Sequence, residues 1–111
     1  MKEHLYETEG VVYSIIQGQN SQENWEILES SSVDDIWFHL LDSSSCHLIL
    51  KNNNGRVPRK VLKRCCYLCK INTNSSKVLK RCSVMYSRVG NVSKGLHVGS
   101  VICDKYNVLS V

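Results

Sequence analysis

The sequence predicts an α+β domain, a mostly antiparallel sheet with two main helices packed on it, and three observations predict it. Short β-branched or alternating runs recur between turn residues, and two longer stretches carry apolar residues at helical spacing. Their order is βαββα followed by three further strands. At 111 residues the chain has the commonest size of a single domain and buries enough surface to fold without staples.

Residues 1–9 are polar and acidic and are expected to form a flexible lead-in, with the domain itself spanning 10–111. The β-branched run Val11–Ile16 reads as a strand. Gly18-Gln19-Asn20 breaks it, and Asn20 followed by Glu23 reads as a capping box. The helix it opens should run to about Ser30, with Trp25 and Leu28 facing a core. Asp35–Leu40 alternates as a strand, with Ile36, Phe38 and Leu40 on one face and Trp37 and His39 on the other. The loop Asp42–Ser45 leads to a strand at His47–Leu50, and a hairpin centred on Ser43 sets His39 opposite His47. Asn52-Asn53-Asn54-Gly55 is a turn signal. A second helix follows from Pro58, stopped by Asn72–Ser76. Cys82–Tyr86 is a strand, Gly90 and Gly95–Gly99 mark turns, and Ser100–Cys103 with Asn107–Val111 read as a C-terminal hairpin.

The second helix carries the strongest functional signal. At about 100° per residue, Val61, Leu62, Cys65, Leu68 and Cys69 share one arc. Arg59, Lys60, Lys63, Arg64 and Lys70, with Tyr67, share the opposite one. Pro58 suits the first helical position. Arg56, Arg59 and Lys60 crowd the N-terminal turn, where exposed cations cost about 0.3–1 kcal/mol each. Cations beside orphan N–H groups make an anion site, and nucleic-acid phosphate is the anion that fits best. The charge distribution agrees. Residues 1–50 hold one lysine against nine acids, net −8, whereas residues 51–111 hold 13 Lys and Arg against Asp104, net +12. Part of this asymmetry must be neutralised within the fold; the rest points to a polyanion.

Six cysteines, without an apolar N-terminal leader, read as thiols of a cytoplasmic protein. Cys66-x-x-Cys69 has knuckle spacing but no second pair follows, so the reading is core packing, with no metal and no cofactor expected. No stretch is apolar and long enough to span a bilayer, so no membrane partner is expected. Asp35, His39, Asp42 and His47 form the one constellation able to do acid–base or ligand chemistry. With no nucleophile elbow, H-E-x-x-H or glycine-rich phosphate loop beside them, the expected activity is binding, with a small nucleic-acid-processing enzyme as the alternative. An adaptor that grips an acidic protein through the same helix is the other alternative. Ser, His and Asn beside a cationic helix also suit RNA, and Trp37 or Tyr67 would stack a base if exposed, although core packing is the expectation for Trp37.

Asp35-Ile36-Trp37-Phe38-His39 followed by Ser45-Cys46-His47 resembles the D-I-W-x-H…S-x-H signature of the NFACT-R domain family. Val57-Pro58, Val61-Leu62 and Cys65-Cys66-x-Leu68-Cys69 resemble its I-P-x-x-x-L…A-A-x-L-A helix, with cysteines in place of alanines. Val84-x-Tyr86-Ser87-x-Val89-x-x-Val92-x-Lys94, the Gly99…Ile102 segment and Gly18-x-Asn20…Asn24 resemble further family segments, so the match runs from about residue 10 to the end. The resemblance implies RNA binding, in factors of ribosome-associated quality control that engage a large subunit and recruit tRNA. Other members join this domain to a coiled coil, and some relatives are described as DNA-binding. The chain reads as a free-standing module for rRNA or tRNA, possessing none of the other NFACT regions, which a larger protein would supply. Its expected RNA contacts are Arg56, Arg59, Lys60, Lys63 and Arg64, supported by Lys51 and Lys94, with Asp35, Trp37, His39, Ser45 and His47 carrying the signature.

Overall fold

The structure is a computed structural model that describes residues 1–52 and 56–111. Its elements are β1 (Lys2–Thr8), β2 (Val11–Gly18), α1 (Ser21–Glu29), β3 (Ile36–Leu40), β4 (His47–Leu50), α2 (Arg59–Ile71), β5 (Ser83–Arg88), β6 (Ser93–Lys94), β7 (Val101–Ile102) and β8 (Asn107–Ser110). Six strands form one sheet in the order β1-β2-β4-β3-β5-β8, every neighbour antiparallel. The α+β class is therefore as expected. The turn expected at Asn52-Asn53-Asn54-Gly55 lies outside the described residues.

The sheet divides two cores. Alternate strand residues point to opposite faces. Phe38, Leu40, Leu48, Leu50 and Val84 point to one face and pack with Val61, Cys65, Cys66, Leu68 and Cys69 of α2. Trp37 and Ile49 point to the other and pack with Ile27 and Leu28 of α1. The helices thus cover opposite faces, and the two cores meet only through the strands. The α2 thiols are core side chains, fully buried and unpaired. Burial pushes the Cys66 thiol up to about 12, so it is inert as a nucleophile or ligand at neutral pH.

Helix α1 starts as the sequence predicts. Asn20 Oδ1 accepts from Glu23 N at 2.9 Å, and Glu23 Oε1 accepts from Gln19 N at 3.0 Å. The β3–β4 register, Ile36↔Leu50, Trp37↔Ile49, Phe38↔Leu48, centres on Ser43 as expected. In α2, Pro58 sits one position earlier than expected, as the N-cap with extended backbone at ψ 146°.

Two expectations are corrected. Residues 2–8 are strand β1, paired along its whole length with β2. Glu9 (φ 51°) and Gly10 (φ 77°) make the two-residue turn, both in the left-handed region such a turn requires. His4, Tyr6 and Thr8 face inward, and Tyr6 packs on the α2 core. The expected C-terminal hairpin also does not form. β7 pairs with β6, and β8 pairs with β5, which buries Leu109 beside Val84. Trp25 Nε1 holds the segment before β7 over α1 by donating to Ser100 O at 2.8 Å. Gly99 there has φ 88°, and a Cβ would lie 2.8 Å from Ser21 Cα. Gly99→Ala should therefore cost about 2 kcal/mol in urea unfolding, from backbone strain plus overlap; a loss below 0.5 kcal/mol would contradict this packing. Among the described residues, no helix is long and apolar enough to cross a membrane.

Candidate nucleic-acid interface

Helix α2 forms one candidate surface. Its inner residues are locked into the core, so the 3.6-residue period forces Arg59, Lys60, Lys63, Arg64 and Tyr67 outward, and all are exposed. The first turn holds no acid, and Pro58 provides no side-chain cap, so the N-terminal N–H groups and the cations face one region. Arg64 lies over two rings, its Cζ 5.2 Å from the Tyr6 ring centroid and 5.9 Å from that of Tyr67.

The ion pairs show how far the charge asymmetry is spent inside the fold. Lys51 binds Asp35 at 3.3 Å, Arg88 binds Asp34 at 3.0 Å, Lys60 binds Glu9 at 3.4 Å, and Lys94 binds Glu29. Each joins the basic half to the acidic half. Lys51 and Lys94, expected as supporting contacts, are thus engaged with acids away from α2, Lys94 also lying 4.8 Å from the Trp25 ring centroid. Arg56, Arg59, Lys63 and Arg64 make no ion pair among the described residues. The sequence reading missed Lys77, Lys80 and Arg81, all exposed. Lys70 Nζ donates to Lys80 O at 3.1 Å and brings that segment against α2. The charge run itself was the available signal.

The signature residues separate by role. Asp35 is buried and accepts from Ser32 N and Asn52 N, both at 2.9 Å. Ser45 Oγ accepts from Leu40 N at 2.9 Å and donates to Cys46 O at 2.8 Å, closing the hairpin. Trp37 is a core residue, and its Nε1 donates to His47 Nδ1 at 3.1 Å. That bond leaves the His47 proton on Nε2. His39 Nδ1 donates to Leu40 O at 2.6 Å, so its Nε2 is an acceptor. The imidazoles meet edge to face, 4.7 Å between centroids, in the opposition expected from the register. Burial, then the neighbouring His39, push His47 down to about 3; burial lowers His39 too. Both are neutral at pH 7.

Of Asp35, His39, Asp42 and His47, only the two imidazoles come together. Asp35 is tied to Lys51 at the other end of β3, and Asp42 is exposed in the loop. Among the described residues, no three His, Cys, Asp or Glu side chains converge to hold a metal. The histidines also lie on the α1 face of the sheet, the side away from α2. The hairpin tip reaches the end of α2 and the turn after it, through Ser45 Oγ to Cys69 Sγ at 3.8 Å and Cys46 N to Thr73 Oγ1 at 3.2 Å. There the Cys69 thiol, and after it the Thr73 hydroxyl, lower the Cys46 thiol against the opposing effect of burial.

A cavity of about 570 Å³ opens beside the histidines, walled by Asn24, Ser44, Met85, Gly99 and Ser100 among others. A second, of about 620 Å³, adjoins it across Ser21, Asn24, Ser44 and Ser45 and reaches the loop after α2 at Asn72–Ser75.

The family model for the NFACT protein RNA-binding domain matches residues 2–104. The chain belongs to this family. An NFACT RNA-binding domain beginning at residue 2 includes β1, in agreement with its pairing. Among curated proteins, the chain is 28% identical over 96 residues to the coiled-coil domain-containing protein 25 homolog of Dictyostelium discoideum, covering 81% of this chain and 47% of that one. It is 30% identical over 86 residues to coiled-coil domain-containing protein 25 of Bos taurus, covering 74% and 41%. The chain thus spans less than half the length of these relatives. Among solved structures, the C-terminal part of the fibronectin/fibrinogen-binding protein from Streptococcus suis superposes with a TM-score of 0.86 at 20% identity, over 98% of this chain and 44% of that one, and shares the fold. RNA is the partner that membership of the NFACT RNA-binding family supports.

Proposed function

We propose that this NFACT RNA-binding domain binds structured rRNA or tRNA in a cytoplasmic, ribosome-associated setting, laying the phosphate backbone along the outer face of α2. The observation that carries the reading is the unneutralised cationic face: Arg56, Arg59, Lys63 and Arg64 lack ion-pair partners among the described residues, beside a helix start with no acid. Lys70, Lys77, Lys80 and Arg81 extend it. The ribosomal setting, with a larger protein supplying the other NFACT regions, rests on the family resemblance.

Binding to tRNA and to rRNA hairpins should weaken with salt by roughly 0.7–0.9 in log–log slope per phosphate contact. Converting Arg59, Lys60 and Lys63 together to glutamine should lower that slope by about 2 and leave folding nearly unchanged, since the one ion pair lost, Lys60–Glu9, is exposed. An unchanged slope would sink the assignment of α2. Cosedimentation with large ribosomal subunits, lost in the same variant, tests the setting.

A further inference from the structure

The first cavity lies on the face opposite α2 and has a distinct chemistry. None of its lining side chains is Lys, Arg, Asp or Glu, and the same holds for the adjoining cavity. A phosphate buried there would lose its hydration with no cation in compensation. A purely apolar ligand would leave the imidazoles and hydroxyls unpaired. The lining instead offers neutral donors and acceptors between apolar walls from Met85, Val98 and Val101. The Trp37 and Leu40 bonds fix the imidazoles as a complementary pair, His47 Nε2–H a donor and His39 Nε2 an acceptor. Asn24 stands on the wall common to both cavities; its Oδ1 is buried against Gly18, with no hydrogen-bond partner among the described residues. Its backing is tight: a Cβ at Gly18 would collide with that oxygen. The volume, about 570 Å³, is in the range of small-molecule sites.

We propose that this cavity takes an unpaired nucleobase, its edge paired with the His39–His47 donor–acceptor couple and its plane between the apolar walls. The inference rests on the RNA reading for the source of the base. A base is flat and uncharged and presents an N–H beside a carbonyl or ring nitrogen, the pattern this couple complements. The strand then reaches both faces: its phosphates lie on α2 and the adjoining 77–81 segment, and one extruded base enters past the hairpin tip. Arg81 and Asp42 border a neighbouring cleft that shares Ser43 with the cavity.

The test uses the ¹⁵N-labelled chain, the four ribonucleosides, single-stranded hexanucleotides of each base, and an abasic strand of equal length and charge. At least one hexanucleotide should bind about tenfold or more tightly than the abasic strand. The matching nucleoside should shift the amides of Asn24, His39, Ser44, Ser45 and Gly99. His39→Ala, at a half-buried position outside both cores, should abolish the preference and leave abasic binding unchanged. The Arg59, Lys60 and Lys63 variant should weaken every strand alike and leave the nucleoside shifts intact. Equal binding of intact and abasic strands, or shifts confined to α2, would overturn the proposal. Nucleoside shifts at the cavity with no strand binding at all would sink the RNA reading and leave the cavity a base site.

Discussion

Replacing Asp35 with alanine is expected to lower folding stability by about 3–5 kcal/mol. The carboxylate is 4% exposed, and three groups converge on it. Oδ2 accepts from Ser32 N at 2.9 Å and from Lys51 Nζ at 3.3 Å, and Oδ1 accepts from Asn52 N at 2.9 Å. These donors belong to the turn before β3 and to the end of β4, so one side chain joins two connections that sequence separates. Alanine leaves two backbone N–H groups and a partly buried ammonium without their acceptor. Asn keeps one carbonyl oxygen and should cost about half as much. Urea unfolding at pH 7 measures both, and a loss below 1 kcal/mol for alanine would contradict this account. The result also decides what the signature aspartate does. A residue that holds two turns, at the opposite end of β3 from His39, is structural, and its loss should reduce RNA binding only through unfolding.

Some of this arrangement was legible in the sequence because it is local. The α2 faces follow from a single period, and the His39–His47 opposition follows from equal spacing about Ser43. Strand β1 was hidden because its alternation is inverted. Its inward residues are His4, Tyr6 and Thr8, while its aliphatic residue, Leu5, is 67% exposed. Its turn, Glu9-Gly10, lacks the Asn or Asp that usually signals a hairpin. The final strands were mispaired because proximity in sequence favours a hairpin, whereas the competing partners are distant. Leu109 reaches the α2-side core through the pairing of β8 with β5, and Trp25 holds Ser100 from 75 residues away. Which cations stay free of acids is equally non-local: Lys60 and Lys63 are neighbours on α2, and of the two only Lys60 has an acid, Glu9, opposite it among the described residues. The base cavity is the extreme case. Its walls come from α1, the β3–β4 hairpin, β5 and the segment around Gly99, and each of these is unremarkable alone.

That composite origin places His47 under two demands, since it closes the α1-side core and offers its Nε2–H to the cavity. Stability should accordingly fall as pH drops from 6.5 toward 5. The His47 pKa is near 3 in the fold against an ordinary 6.5, so the unfolded chain binds the proton that the folded chain refuses. The contribution is fully present above pH 6.5, shrinks as pH falls through the interval, and is gone near pH 3. Between pH 6.5 and 5 the loss should be about 1.6 kcal/mol, the slope approaching 1.36 kcal/mol per pH unit once the unfolded imidazole is fully protonated. His39, lowered in the same direction by burial, adds to it. Carboxylates scarcely titrate in that window, so the imidazoles dominate it. The physical cause is specific: a proton on His47 Nδ1 would face the Trp37 Nε1–H at a buried position. His47→Asn, whose carbonyl oxygen can accept the Trp37 bond, should flatten the profile between pH 6.5 and 5 although it lowers stability overall. Parallel profiles for the two proteins would show that the acid sensitivity resides elsewhere. A base seated against His47 Nε2–H stabilises that neutral imidazole further, whereas a proton on His39 Nε2 removes the acceptor of the couple, so base affinity should fall with acid through His39 before His47 takes up its proton.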